Sequence, residues 1–193
     1  QPQFEFPRNG IKELPETNWY VDIQGARING LDTNTMKTEQ AAWLEKVLED
    51  NPNKWTFVTF HHPVFSTARD DSQERQDLLR PILEKHRVPL VLQGHDHTYG
   101  RRNIATGVTN MNEETGTVYV VSVSGPKMYN VKQGAKDTME KTGQNKQLYQ
   151  IISVDGDRLK YEAFLVTGEL YDYFEMQKNP DGSTTIIHQP EEL

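Results

Sequence analysis

A short apolar run that ends at a glycine and two histidines limits most strongly how this chain can fold. The run Pro89-Leu90-Val91-Leu92-Gln93 leads directly into Gly94-His95-Asp96-His97. Such a run, bounded by turn signals, is typical of a buried parallel strand. An extended backbone would point His95 and His97 to the same side. The pattern predicts imidazoles at the carboxyl end of a strand, where open α/β sheets bind ligands and metals. A polar loop that happens to contain histidines is the alternative.

A second predicted strand ends in the same kind of residue. The segment Trp55-Thr56-Phe57-Val58-Thr59-Phe60 is aromatic and β-branched, and it runs directly into His61-His62-Pro63. A helical pattern separates the two strands, which predicts a parallel βαβ unit with a right-handed crossover. Parallel neighbours end at one edge of a sheet, so the histidines that follow both strands should surround a common volume. These are His61, His62, His95 and His97.

These polar residues have structural explanations as well as functional ones. His62 precedes Pro63, which favours a packed or supporting residue over a direct ligand. Asp96 is predicted to orient a histidine or to bond the backbone. Arg101 is either a pairing residue or a clamp for phosphate near the metal edge. His61, His95 and His97 together are predicted to bind metal.

The remaining segments predict a mixed α/β fold in a single domain that spans residues 1–193. Residues 39–49 have helical spacing, and the Lys132–Gln147 segment is polar and predicted to be the least ordered. Pro81 predicts either a kink in the second helix or a helix that begins near Arg80. The predicted strands outside the βαβ unit cover residues 19–23, 26–31, 117–123, 148–154, 159–166, 171–176 and 184–188, and the last four are expected to be antiparallel.

Composition excludes several classes of protein. The net charge of -7 over 193 residues argues against a nucleic-acid-binding surface, which usually needs clustered basic charge. Because the chain has no cysteine, it can form neither disulfides nor thiolate zinc sites. Its apolar runs are shorter than the roughly 20 residues of a membrane helix, so we expect no membrane partner.

Two of these segments closely resemble signature blocks of the calcineurin-like metallophosphoesterases, of the purple acid phosphatase type. They are Phe60-His61-His62-Pro63 and Gly94-His95-Asp96-His97-Thr98-Tyr99-Gly100-Arg101. The resemblance implies a two-sheet sandwich flanked by helices, with a dinuclear site at the strand ends. It implies that His61 and His95 bind one metal ion and that His97 binds the other. His62 and Arg101 are then the candidate catalytic residues, facing or clamping the substrate.

The resemblance also implies the chemistry. Two divalent or trivalent ions, such as Fe, Zn or Mn, would hold a phosphate-ester substrate and lower the pKa of a water between them. The resulting hydroxide would attack phosphorus in line. Relatives of this type suggest a periplasmic or secreted location.

The family's earlier blocks, Gly-Asp-x-x, a second Gly-Asp and Gly-Asn-His, do not occur before His61. The chain therefore resembles the C-terminal half of such a domain, and a start at Gln1 agrees with a partial sequence. Three neutral imidazoles without a carboxylate should not hold two divalent ions tightly. We expect little or no phosphatase activity from the chain alone, and a complete site if the N-terminal half is supplied as a partner.

Two other interpretations remain open at this point. In the first, the chain is a non-catalytic binding or structural relative whose histidines are vestigial. Alternatively, it is a mononuclear zinc hydrolase in which three histidines and a water bind one ion.

Overall fold

The computed structural model describes residues 4–71, 73–105 and 114–188. Its strands are β1 (Trp19–Ile23), β2 (Ala26–Leu31), β3 (Trp55–Phe60), β4 (Leu90–Gln93), β5 (Tyr99–Ala105), β6 (Glu114–Val121), β7 (Lys141–Gly143), β8 (Leu148–Asp155), β9 (Arg158–Leu165), β10 (Leu170–Lys178) and β11 (Thr184–His188). Its helices are α1 (Lys37–Glu49), α2 (Gln73–Lys85) and α3 (Gln133–Thr138).

Four parallel strands form the sheet that carries the histidines. They lie in the order β2-β3-β4-β6, and β1 pairs with β2 as an antiparallel hairpin. Helices α1 and α2 connect β2 to β3 and β3 to β4, which confirms the predicted βαβ unit. Since these strands run in one direction, all four carboxyl ends lie at one edge of the sheet.

A second, antiparallel layer covers one face of this sheet. Strands β8, β9, β10 and β11 pair in sequence, and β11 joins the start of β6. The core between the layers contains Trp55 and Leu90 from the first sheet and Tyr161 and Phe174 from the second, all nearly inaccessible to solvent. The two aromatic rings of the second sheet stack with centroids 4.6 Å apart. This arrangement confirms the predicted two-sheet sandwich.

The helices pack on the opposite face of the first sheet. Leu44 of α1 and Leu83 of α2 are fully buried against Val58 of β3. Burial of each such side chain stabilises the fold by about 1.5–3 kcal/mol. No helix among the described residues is long and apolar enough to cross a membrane.

Three local features differ from the sequence-based expectations or resolve them. Helix α2 runs from Gln73 through Pro81, so the alternative in which the helix begins near Arg80 is wrong. The Lys132–Gln147 segment, predicted to be the least ordered, contains α3 and β7. Strand β5 was not predicted, and it pairs with both β6 and β7.

Candidate metal centre

The four predicted histidines follow two adjacent strand ends, as the sequence indicates. His61 comes directly after β3, and His95 follows β4 after Gly94. The backbone N–H of Gly94 donates to the carbonyl of His61 at 3.1 Å, which fixes the two turns against each other. The parallel pairing of Phe60 with Gln93 therefore sets the spacing of the two histidine turns.

The turn that contains His95 and His97 is bent, not extended. Both residues have left-handed backbone conformations, with φ of 73° and 54°. Such conformations cost about 1–3 kcal/mol each in non-glycine residues and concentrate at functional sites. The bend carries the chain from β4 across the end of β6 into β5. The expectation that His95 and His97 point to one side of an extended segment is therefore wrong.

Three of the histidines form one group of potential ligands. His61 Nε2 lies 3.1 Å from His95 Nδ1. The ligand nitrogens of His61, His62 and His95 all lie within 4.8 Å of one another. The ring of His62 lies 4.8 Å from that of His61 and 4.4 Å from that of His95, centroid to centroid. His62, interpreted from the sequence as a supporting residue, thus lies with the predicted ligands.

The loop after β2 orients His62. Thr33 Oγ1 lies 2.8 Å from His62 Nδ1 and accepts a hydrogen bond from the backbone N–H of His62 at 3.1 Å. The buried side chain of Gln40 holds this loop, since it accepts from the N–H of Asp32 and donates to the carbonyl of Thr35. Sequence reasoning did not identify Thr33 or Gln40, because their roles depend on contacts between elements.

His97 lies outside this group of three. Its Nδ1 is 2.9 Å from the carbonyl oxygen of Lys127, and its ring packs against Tyr129 at 5.0 Å between centroids. The contact with Lys127 engages one ring nitrogen and leaves Nε2 as the possible metal-binding atom.

Asp96 links the turn that contains His95 and His97 to the loop that follows His61 and His62. Its buried Oδ2 accepts hydrogen bonds from the hydroxyl of Ser66, the N–H and hydroxyl of Thr67, and the N–H of Ala68. The residue is fully buried. It therefore bonds the backbone of the loop after His61–His62, which is one of the two roles predicted for it.

Arg101 occupies a structural position. Its side chain is buried, and its Nε and Nη2 donate to the two carboxylate oxygens of Asp172 at 2.8 and 3.2 Å. Tyr99 donates to the same carboxylate at 2.7 Å. The polar contacts described for Arg101 go to Asp172 and Asn103, not to the histidines. The geometry supports the pairing role and not the phosphate clamp.

The surroundings of the site are cationic. The half-buried position of His62 lowers its pKa to about 4, and the charges of His95, His61, Arg75 and Lys37 add to this effect. Burial also lowers the pKa of His95, followed by the charge of Arg69. Neutral imidazoles at physiological pH are the form that binds metal.

Arg69 is an exposed cation that sequence reasoning did not single out. Its side chain is 45% accessible, its Nε lies 3.9 Å from Oδ1 of the buried Asp96, and its guanidinium lies 5.0 Å from the centre of the Tyr129 ring. Lys127 approaches the same ring at 5.2 Å. Arg69 lies in a polar segment beside two aspartates, where no helix or strand pattern predicts its surroundings. The sequence alone could not place it near His95.

The donor set fits a metal ion of the zinc class. Two nitrogens bound to one tetrahedral zinc at 2.0–2.1 Å lie about 3.3–3.4 Å apart, which is close to the 3.1 Å between His61 Nε2 and His95 Nδ1. Among the described residues, no carboxylate belongs to this group. A second candidate group, Glu45, Glu49 and His86, lies between α1 and α2, but Lys85 already pairs with both glutamates.

Comparison with known proteins identifies the family to which this chain is similar. A family model described as calcineurin-like phosphoesterase matches residues 3–99, about half of the chain. Purple acid phosphatase 4 of Arabidopsis thaliana is 40% identical over 55 residues, which are 28% of this chain and 16% of the relative. Tartrate-resistant acid phosphatase type 5 of Oryctolagus cuniculus is 32% identical over 110 residues, 56% of this chain and 30% of the relative.

A solved structure shows the same fold. The purple acid phosphatase from yellow lupin (Lupinus luteus) seeds aligns with a TM-score of 0.72 and 19% identity. The alignment covers 86% of this chain and 33% of that structure. The chain therefore covers no more than about a third of each of these three relatives.

Proposed function

Since this chain belongs to the calcineurin-like phosphoesterase family, we propose that it supplies the histidine-bearing part of a metal-dependent phosphoesterase site. The observation that supports this most strongly is the group of His61, His62 and His95 at the carboxyl edge of the parallel sheet. The substrate class proposed is a phosphate ester, and the reaction is hydrolysis.

The proposed roles follow from the contacts of each histidine. His61 and His95 hold one metal ion together, because their ligand nitrogens already lie 3.1 Å apart. His97 presents its Nε2 to a second ion, since Lys127 engages its Nδ1. Bound ions of this kind polarise a phosphoryl group and lower the pKa of a bound water.

The cations near the site suit an anionic substrate. Arg69 is exposed, and its charge acts on His95. We assign Arg69 the phosphate-attracting role that the sequence suggested for Arg101, because Arg101 is buried against Asp172. An exposed guanidinium can donate two parallel hydrogen bonds to a phosphate, which fixes its orientation.

Two metal ions would need more ligands than these histidines provide. Neutral imidazoles do not offset the charge of two divalent ions, and the described group contains no carboxylate. We propose that the carboxylate and amide ligands come from the N-terminal half of the same domain, with which this chain forms the complete site. We further propose that residues 1–193 belong to a single domain, and that the protein is exported to the periplasm or secreted.

The function is tested by hydrolysis of a generic phosphomonoester such as p-nitrophenyl phosphate. The chain alone, supplied with Zn²⁺, Mn²⁺ or Fe³⁺, should hydrolyse it no faster than the metal in buffer. A protein that joins this chain to the family's earlier blocks should turn it over. His95→Ala should abolish that turnover, and His86→Ala, which removes a histidine outside the site, should retain it.

Two results would contradict the proposal in different ways. Enzyme-like turnover by the chain alone, abolished by His95→Ala, would show that no further ligands are needed. A joined protein that folds and binds metal without hydrolysing phosphomonoesters or phosphodiesters would exclude the phosphoesterase function.

A further inference from the structure

We propose that Lys127, Tyr129 and Arg69 form an anion subsite beside the histidines, which selects phosphate compounds that carry a second phosphoryl group on the scissile one. The inference rests on the proposed function and deepens it, because it names a substrate class. This class is the phosphoanhydrides, of which inorganic pyrophosphate is the simplest. Arg69 already has a phosphate-attracting role in the proposed function, and the inference adds Lys127 and Tyr129 to it.

Two cationic side chains converge on the ring of Tyr129. The guanidinium of Arg69 lies 5.0 Å from the ring centre, and the ammonium of Lys127 lies 5.2 Å from it. Both distances are within the range of cation–π attraction. A hydrogen-bonding contact with Lys127 lowers the pKa of the Tyr129 hydroxyl, and the charge of Arg69 adds to this effect. Both cations therefore lie near the hydroxyl end of the ring, where one anion can contact all three groups.

The loop between β6 and α3, which carries Lys127 and Tyr129, is tied to both histidine turns. The carbonyl of His97 accepts from the N–H of Tyr129 at 3.4 Å, and the carbonyl of Lys127 lies 2.9 Å from His97 Nδ1. Further along the loop, the N–H of Lys132 donates to the carbonyl of Thr67 at 2.9 Å. A loop that is already fixed loses less conformational entropy when a ligand binds.

The two lysines of this loop differ in their contacts. The ammonium of Lys132 donates to the carbonyl of Arg69 and to the carboxylate of Asp71, so it holds the segment that carries Arg69. Lys127 is exposed, and among the described residues no carboxylate forms an ion pair with it. The ammonium of Lys127 therefore remains available for an anionic ligand.

The positions of the cations indicate how far the anion extends. After burial, the charge of Arg69 is the largest cause that lowers the pKa of His95, so Arg69 is near both His95 and Tyr129. A phosphate held at His95 is within reach of this charge, and a group attached to that phosphate meets Tyr129 and Lys127. A second phosphoryl group brings three acceptor oxygens and up to about two negative charges. These match an ammonium, a guanidinium and a hydroxyl, whereas a neutral alcohol does not.

The reaction is hydrolysis of the anhydride bond. The oxygen of a water bonds to the phosphorus at the histidine edge, and one proton of that water is released to solvent. The bond from this phosphorus to the bridging oxygen breaks, and its electron pair stays on the bridging oxygen, which leaves with the second phosphoryl group. Lys127 and Tyr129 stabilise the charge that develops on this leaving group.

Binding is tested on the chelator-treated chain without metal, since pyrophosphate itself chelates metal ions. Titration with inorganic pyrophosphate, followed by proton–nitrogen NMR at neutral pH, should shift the amide signals of Lys127 and Tyr129. Pyrophosphate should bind about tenfold more tightly than orthophosphate, the lower end of what one hydrogen bond to a charged group contributes. Lys127→Met should remove most of this preference, and Tyr129→Phe, which keeps the ring, should remove part of it.

Selectivity is tested by kinetics on the joined protein. Lys127→Met should lower kcat/KM for pyrophosphate about tenfold more than kcat/KM for p-nitrophenyl phosphate. The matched control is Lys54→Met, which removes an exposed lysine paired with Asp157 at the amino end of β3. This control should leave both the binding preference and the kinetic preference unchanged. Circular dichroism of each variant shows whether the fold is retained.

Each other result has a definite meaning. Equal binding of the two anions, or an unchanged preference in Lys127→Met, would overturn the inference, while turnover of p-nitrophenyl phosphate by the joined protein would leave the proposed function intact. Signal shifts confined to residues away from Lys127 and Tyr129 would also overturn it. A joined protein that hydrolyses neither compound would overturn the substrate selection together with the proposed function, and pyrophosphate binding that depends on Lys127 would then identify a binding site only.

Discussion

Replacement of Arg101 by methionine tests whether this arginine stabilises the fold or binds the substrate. Its guanidinium makes two hydrogen bonds to the carboxylate of Asp172, and both side chains are at most 7% accessible. Arg101→Met removes the cation but leaves a buried carboxylate, which still accepts from Tyr99. Removal of one partner of a buried pair typically costs about 3–5 kcal/mol.

This loss of stability should be visible in thermal unfolding. For a chain of this size each kcal/mol lowers the melting temperature by about 2–4 °C, so Arg101→Met should lower it by roughly 6–20 °C. The double variant Arg101→Met/Asp172→Asn removes both charges and should recover much of the stability. Arg8→Met, which breaks an ion pair whose arginine is 74% exposed, should cost less than about 1 kcal/mol.

The same variant also has to be tested for phosphate binding. Where the protein remains folded, Arg101→Met should leave the affinity for inorganic phosphate in the metal-loaded state unchanged. Two results together would refute this reasoning and return Arg101 to the role of a phosphate clamp. They are a free energy of unfolding of Arg101→Met within about 1 kcal/mol of that of the unsubstituted chain, and weaker phosphate binding by the variant.

Three further predictions address the site and its support. Asp96→Ala should lower the free energy of unfolding by roughly 3 kcal/mol or more in urea titrations and also weaken zinc binding, because four donors lose their buried acceptor; Asp96→Asn should cost less. Gly100→Ala should destabilise the chain by about 1–3 kcal/mol, since an added Cβ would lie 2.1 Å from the Thr67 methyl carbon, whereas Gly134→Ala meets open space and should be harmless by the same measurement. Arg69→Gln should raise the dissociation constant for inorganic phosphate, measured by calorimetry on the zinc-loaded chain, without changing the affinity for zinc; an unchanged phosphate affinity would exclude Arg69 from the anion site.

The sequence predicts the regular elements well where hydrophobic pattern and length agree. The strand from Trp55 to Phe60 combines aromatic and β-branched residues, and the structure places it between two parallel neighbours. The apolar run before Gly94 is likewise predicted as a strand and forms β4 in the structure. In both segments, local propensity and tertiary pairing favour the same conformation.

Strand β5 was missed because its residues give no strand signal of their own. Its centre contains Gly100, Arg101 and Asn103, which neither alternate nor favour a strand intrinsically. Pairing with β6 and β7 and the buried ion pair with Asp172 stabilise the extended conformation. These contacts join residues far apart in sequence, so no local pattern reports them.

The site was predicted at the level of the sheet edge, not of individual contacts. Strand ends located His61 and His95 correctly, because parallel register is a property of the backbone. In the structure His62, and not His97, lies with His61 and His95; the turn at His95 and His97 is left-handed, and Thr33 contacts His62. Alternation rules assume an extended chain, so they could not anticipate this turn.

The most direct measurement is the position of zinc in crystals of the chain, located by anomalous scattering at the zinc absorption edge. Zinc is expected as a strong peak at 2.0–2.1 Å from ligand nitrogens of His61 and His95. A peak without contact to His61 or His95, or one confined to Glu45, Glu49 and His86, would contradict this expectation.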